Sequence, residues 1–302
     1  MPHLNFLSGS PLDRREDLRS DPDALERLLT DGVHRVVPVR GDKLPVWRDE
    51  SVRAAFVEGA LAGTLVREWP VTAFLGEVAG ERFWMVDLDA DALPDGAVIP
   101  GEMAGLRSVG AVLDRMEAAV LAQARALAHF HRQHAYCGVC GGGTIATDLG
   151  NARRCTSADC EVVFYPRSDP AMITLLQDDR ERCLLIRQPE WPAKVYATVA
   201  GFVEPGESLE DAVRREVTEE TGLEVVATSY HSSQPWPFPS SIMIGFMTSV
   251  RGTVAPNPRE LEDARWFTRG ELEAAVAEGE IILPSAVSIS RALIGSWLQR
   301  QE

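Results

Sequence analysis

Between Ser208 and Gly222 the apolar residues recur at helical spacing: Leu209, Ala212, Val213 and Val217 fall in one stripe at 100° per residue. Ser208 stands where an N-cap belongs and Gly222 where a helix stops. Glu216, Glu219 and Glu220 project onto the same stripe further along, and Asp211, Arg214 and Thr218 take the opposite side. The packed side of this helix is therefore expected to turn acidic. A merely solvated helix carries its charges opposite its apolar residues, whereas unpaired carboxylates on the packed side cost several kcal/mol. Arg215 neutralises part of that charge. Three clustered glutamates with one arginine call for a divalent cation, because Mg2+ and Mn2+ prefer carboxylate oxygen and water.

The same patterning predicts the other elements. Asp21-Pro22 opens a short helix over Asp23 to Thr30, closed by Asp31-Gly32. HRVVPVRGDKLPVW predicts a hairpin around Gly41-Asp42, and TAFLGEVAGERFWMVDL a second one around Ala79-Gly80. Val109, Val112, Leu113, Met116, Val120, Leu127 and Phe130 predict one long amphipathic helix from Ser108, its N-cap, to about His134. Further on, AMITLLQDDRERCLLIRQ gives two strands turning at Asp178-Asp179. KVYATVAG is a strand delivering the chain to Gly201, and EVVATSYHS and SSIMIGFMTSV are further strands. ELEAAVAEG is a short helix ended by Gly279, and a last helix covers Ser285 to Gln299. Strands and helices mixed in this way imply a sheet packed between helices. Ser233 to Ser241, SQPWPFPSS, reads as a stiff extended loop. Its Trp236 and Phe238 can offer faces to a ring, and Gln234, Ser240 and Ser241 can hydrogen-bond ribose or phosphate. A loop pinned to the core by its aromatics is the equal alternative.

Composition narrows the picture. The chain has 302 residues, 45% hydrophobic and 25% charged, enough for two globular domains with a small module between them. No apolar run reaches the length of a membrane span and the N-terminus lacks a secretion-signal core, so the expected location is the cytoplasm. A net charge of -15 argues against a broad electrostatic grip on nucleic acid, though not against a small anion met by bound metal. Four of the five cysteines, Cys137, Cys140, Cys155 and Cys160, form C-x2-C-x14-C-x4-C. Two close thiol pairs around a hairpin-length insert, with Gly141, Gly142 and Gly143 allowing a tight turn, suit tetrahedral zinc; a closed four-thiolate site is structural. His129, His131 and His134 read as solvated helix-end residues, one of which can stand in for a cysteine. Arg132, Arg153, Arg154 and Arg167 against Asp148, Asp159 and Glu161 leave this module nearly neutral, which is weak support for RNA contact. Cys183 reads as a buried small hydrophobe, and His3 and His34 as isolated structural residues. Arg107 can reach an anionic ligand, with a surface ion pair the favoured reading on sequence alone.

Gly201, Glu207, Arg215, Glu216, Val217, Glu219, Glu220, Gly222 and Leu223 resemble, at every specified position, the signature of the Nudix hydrolases. SQPWPFPSS shortly after that signature and a four-cysteine module before it resemble the NADH pyrophosphatase branch of the family. The resemblance covers roughly residues 137 to 260, and the N-terminal region matches only in position and size. It implies an α/β Nudix fold, a mixed sheet sandwiched between helices, over residues 168–302. Before it the resemblance implies a zinc ribbon over 132–167 and an N-terminal α+β domain with a long helix over 1–131. The implied activity is metal-dependent hydrolysis of NADH, and less readily NAD+, to nicotinamide mononucleotide and AMP; related members remove NAD caps from RNA, and homodimers are typical. Carried onto this chain, the resemblance puts Mg2+ or Mn2+ on Glu216, Glu219, Glu220 and the backbone carbonyl of Ala200, with Arg215 orienting the carboxylates. Glu260 supplies a further carboxylate, with Glu262 its rival, and Glu220 is the first choice of proton acceptor. Tyr165 and Phe202 would sandwich adenine from different subunits, and Ser290 would line the same pocket. A non-catalytic nucleotide sensor on the same fold is the remaining alternative, disfavoured by the intact glutamates.

Overall fold

In the computed structural model, which describes residues 5–19, 21, 23–30 and 32–300, the chain divides into two units. One takes residues 9–168 and 237–240; the other takes residues 5–8, 169–236 and 241–300. His3, Pro22 and Asp31 lie outside the described residues.

The first unit opens with two short helices, α1 (Glu16–Arg19) and α2 (Ala24–Thr30), followed by strands β1 (Val33–Val39), β2 (Lys43–Arg48) and β3 (Val52–Ala54). Helix α3 (Gly59–Glu68) leads into β4 (Thr72–Val78) and β5 (Glu81–Asp87), the hairpin expected around Ala79-Gly80. The hairpin expected around Gly41-Asp42 is corrected. Arg40 and Lys43 do exchange backbone hydrogen bonds across that turn, but β1 then pairs in parallel with β5, and β2 joins a different sheet. The physical reason lies in β1: Val36, Val37 and Val39 are all buried, as in a parallel strand covered on both faces. Strand β6 (Glu102–Gly105) completes the β3-β2-β6 sheet. The single long helix from Ser108 is also corrected, to a short α4 (Leu106–Val109) and a separate α5 (Arg115–Gln133). Asp114, whose carboxylate accepts from the Met116 N–H, caps α5, and the Ser108 hydroxyl donates to the Gly105 carbonyl instead. Strands β7 (Thr144–Thr147), β8 (Ala152–Cys155) and β9 (Val163–Phe164) form a small antiparallel ribbon carrying the cysteines.

The second unit is built on β10 (Asp169–Gln177), β11 (Cys183–Arg187), β12 (Val199–Phe202), helix α6 (Leu209–Thr221), β13 (Glu224–Trp236), β14 (Ser241–Arg251), β15 (Asp263–Phe267) and helices α7 (Arg269–Ala277) and α8 (Ile289–Gln299). The sheet runs β13-β14-β10-β11-β15, with β12 also paired to β10, and is mixed because β10 and β14 are parallel. Alternation along β10 sends Met172 and Leu176 to one face, against Ala212, Val213 and Val217 of α6. Ile173 and Leu175 point to the other, against Leu272 of α7 and Leu293, Ile294 and Trp297 of α8. The sheet is thus sandwiched between helices, as expected. The stiff loop over Ser233 to Ser241 is corrected: Ser233 to Trp236 continue β13, paired to β14, and only residues 237–240 turn. Pro235 is tolerated there because β13 is an edge strand.

Candidate active site and cysteine ribbon

Helix α6 starts and stops where the sequence places it. Ser208 and Asp211 form a reciprocal capping box, and Gly222 leaves the helix in the left-handed conformation at φ 70°. Ala212, Val213 and Val217 are buried, and Glu220 is buried with them at 3% exposure. The Glu216 side chain is 14% exposed, but that of Glu219 is 55% exposed, which corrects its placement on the packed side. Glu219 stands about 100° from the middle of the stripe, at its margin.

Arg215 ties this end of the site together. Its guanidinium donates twice to Glu207 (2.6 and 2.9 Å), to Glu216 (2.8 Å), to Glu219 (3.2 Å) and to the Phe202 carbonyl (2.8 Å). These are charge-assisted bonds, the stronger kind. Glu207 was not singled out as a site residue by sequence reasoning. Its fixed place in the motif, eight residues before an arginine, was the available signal. The Glu216 carboxylate lies directly over the backbone of Gly201, where an added Cβ would sit 1.8 Å from Oε1. Gly201→Ala should therefore push Glu216 out of position and lower turnover about a hundredfold, on the scale of a misplaced catalytic group, with little change in melting temperature. Wild-type turnover in that variant, measured under saturating Mg2+, would show that the contact is unimportant.

Glu220 is the electrostatic centre. Its Oε2 is buried and has no hydrogen-bond partner among the described residues. Burial, then repulsion from Glu216 and Glu260, pushes its carboxyl up to about 8. The loop carrying Glu260 is fastened to the same helix end: the Asn257 N–H donates to the Glu220 carbonyl (2.9 Å) and its side-chain amide to Glu260 (3.1 Å). Glu262, the rival, pairs instead with Arg187 (2.7 Å). The glutamate oxygens do not all converge on one point; among the described residues only the four cysteines gather three or more ligand atoms within 4.8 Å. Arg215 holds Glu216 and Glu219 while repulsion spreads the rest. An unpartnered buried carboxylate beside two others fits a hard divalent cation, which tolerates mixed carboxylate and water ligation.

A family model described as NUDIX domain matches residues 167–284. An NAD-capped RNA hydrolase NudC of Mycobacterium bovis is 34% identical, with 97% of this chain and 94% of that protein covered. The chain is a Nudix hydrolase of the NADH pyrophosphatase branch. An NAD-capped RNA hydrolase NUDT12 of Macaca fascicularis is 40% identical over 62% of this chain, which spans 43% of that relative's length. Among solved structures, a NUDIX hydrolase from Nitrosomonas europaea is 19% identical, with 54% of this chain and 90% of that chain covered and a TM-score of 0.41.

Around the Nudix helix, Phe202 is exposed on β12, next to Ala200 and Gly201. Ser241 opens β14 opposite Trp236 at the end of β13. Gln234 and Ser290 are interior residues. The Gln234 amide donates to the carbonyls of Phe6 (2.8 Å) and Val287 (2.6 Å), and the Ser290 hydroxyl accepts from the Thr198 N–H (3.2 Å) and hydroxyl (3.0 Å). Tyr165, Arg107, Phe238 and Ser240 belong to the other unit. There the guanidinium carbons of Arg107 and Arg125 lie 4.6 and 4.8 Å from the centre of the Phe238 ring. Arg125 carried no signal in the sequence beyond its charge.

In the ribbon, the sulfurs of Cys137 and Cys160 are 3.7 Å apart and those of Cys140 and Cys155 3.5 Å. A tetrahedron of metal–sulfur bonds of about 2.3 Å has edges of about 3.8 Å, so the four thiols fit a single ion. The reading of His131 as a solvated helix-end residue is corrected. It is buried between the Gly150 carbonyl (2.8 Å from Nε2) and Arg153 (2.8 Å from Nδ1), and burial pushes its imidazole down to about 4. It locks the ribbon to α5 rather than joining the thiols.

Proposed function

We propose that this Nudix hydrolase cleaves the diphosphate of NADH, and less readily of NAD+, to nicotinamide mononucleotide and AMP. The observation that carries the reading is Glu220, a buried carboxylate whose Oε2 has no partner among the described residues, beside Glu216 and Glu260. Glu216, Glu219, Glu220, Glu260 and the Ala200 carbonyl would hold Mg2+ or Mn2+. Those ions would neutralise the diphosphate and activate the attacking water. Arg215 orients Glu216 and Glu219, and Glu220 takes the proton. Phe202 and Tyr165, contributed by different subunits, would receive adenine; Trp236 and Ser241 in the one unit and Phe238, Ser240 and Arg107 in the other are the proposed contacts for ring, ribose or phosphate. Gln234 and Ser290 hold the backbone at Phe6, Val287 and Thr198. The SQPWPFPSS segment supports the choice of a dinucleotide.

Zinc in the cysteine ribbon, a homodimer and a cytoplasmic location complete the proposal. No helix among the described residues is long and apolar enough to cross a membrane. Pure protein given NADH with Mg2+ or Mn2+ should yield AMP and reduced mononucleotide; nicotinamide release alone, or no cleavage, rejects the reading. The similarity to NAD-capped RNA hydrolases favours a second substrate, NAD-capped RNA, in which the same bond is cut. A kcat/KM strongly favouring free NADH would dismiss it as the main substrate. Ligand binding without any turnover would turn the assignment towards a sensor.

A further inference from the structure

The first unit contains a cavity of about 750 Å³, within the size range of small-molecule sites. Three arginines line it, Arg19, Arg67 and Arg154, in a protein whose net charge is -15. Of its two carboxylates, Asp21 is already paired with Arg27. Among the described residues Arg67 makes only a solvent-exposed pair with Glu26 (3.2 Å), the weak kind. The side chain of Arg154 has no hydrogen-bond or ion-pair partner among the described residues.

Ribbon register explains why Arg154 stands there. Ile145, Arg154 and Val163 are directly opposite one another across β7, β8 and β9, so they share one face, and Tyr165 follows two residues on. All four are exposed, whereas Thr144, Arg153 and Phe164 turn the other face inward, Arg153 towards His131 and Phe164 against His134. The cavity's wall includes Asp148 and Leu149, two non-glycine residues in the left-handed conformation (φ 53° and 52°). That strained turn is over-determined by its neighbours: a Cβ on Gly150 would lie 2.2 Å from the Thr72 carbonyl. A rigid wall, one unpaired and one weakly paired guanidinium and an exposed aromatic ring make up the recognition chemistry of single-stranded nucleic acid.

We infer that this cavity holds the RNA strand that follows the cap, with Arg154 and Arg67 on its phosphates. The inference rests on the second substrate reading and on Tyr165 as an adenine contact. The adenosine of an NAD cap is the first nucleotide of the RNA. A strand whose first base stacks on Tyr165 therefore carries its next phosphates towards the cations that share the ring's cavity. The acidic remainder of the protein limits the grip to two or three phosphates, which sets a shallow salt slope of about -2 in log K against log salt.

The test uses the full chain with two measurements. Wild-type protein should bind an uncapped fluorescent hexa-adenylate by anisotropy, and Arg154→Gln and Arg67→Gln should each weaken that binding about tenfold and flatten the salt slope by about 0.7. In parallel, kcat/KM on a short NAD-capped RNA should fall about tenfold in each variant while kcat/KM on NADH stays unchanged. Arg154→Lys should keep part of the binding, which a merely structural role would not require. Absence of hexa-adenylate binding at millimolar protein, equal losses on NADH and capped RNA, or no loss in either variant would overturn the proposal. If neither substrate is cleaved the proposed activity fails, yet the anisotropy result still decides whether the cavity takes RNA.

Discussion

Glu220→Gln should leave a folded protein whose kcat on NADH is lower by on the order of a thousandfold, the scale of losing a positioned proton acceptor. Glutamine keeps the side chain's size and loses its charge, so the packing around Val217 and Thr221 is preserved. The effect on stability runs the other way. In the ion-free protein the Glu220 carboxyl titrates at about 8 against an ordinary 4.5, because it is buried beside Glu216 and Glu260. A carboxyl raised on folding favours the native state fully below its unfolded value, near 4.5, and that contribution disappears as pH rises through about 8. At about 1.4 kcal/mol per pH unit, the loss amounts to a few kcal/mol. Ion-free wild type should therefore melt lower at pH 8.5 than at pH 5.5, and Glu220→Gln should lack most of that difference. With the ion held as proposed, Mn2+ at pH 8.5 should raise the wild-type melting temperature more than that of the variant, because it would replace the proton on the same carboxylate. Thermal melts of both proteins at the two pH values, with and without Mn2+, decide the matter. Equal pH dependence together with retained turnover would remove Glu220 from the centre of the site.

The parts of this molecule that could be read from the chain are those settled within a few residues. Ser208 and Gly222 mark the ends of α6 because capping is local. The C-x2-C-x14-C-x4-C spacing brings four sulfurs together because short loops leave the thiols little else to do. What could not be read depends on distant neighbours. The turn at Gly41-Asp42 is visible in sequence, but the partner of β1 is set by β5, some fifty residues away. Helical periodicity from Val109 to Phe130 runs unbroken across the interruption that Asp114 caps. Gln234 has the chemistry of a ligand contact, yet the carbonyls of Phe6 and Val287 consume its amide donor. Glu219 shows the limit of a helical projection, since a residue at the stripe's margin is assigned to core or solvent only by what packs beside it.

Cys137→Ser should act on stability where Glu220→Gln acts on turnover. Cys137 is buried, its sulfur 3.7 Å from that of Cys160 and within 4.8 Å of the other two thiols, so a hydroxyl in its place removes one of the four thiols proposed to hold zinc. Ribbons of this size have little apolar core: its three strands span only four, four and two residues. With zinc bound as proposed, the metal would supply much of the local folding free energy, which in small zinc modules reaches roughly 10 kcal/mol or more. The loss propagates, because Arg153 on β8 hydrogen-bonds His131 of α5 and the Thr144 carbonyl, and the Gly150 turn packs on β4. A melting temperature lower by about 10 °C or more is expected, with zinc content falling below one ion per chain, while the residual folded fraction keeps a normal KM for NADH. Metal analysis alongside calorimetry checks both halves at once. A serine variant that retains a full complement of zinc and melts with wild type would place the stability of the ribbon in its protein contacts alone.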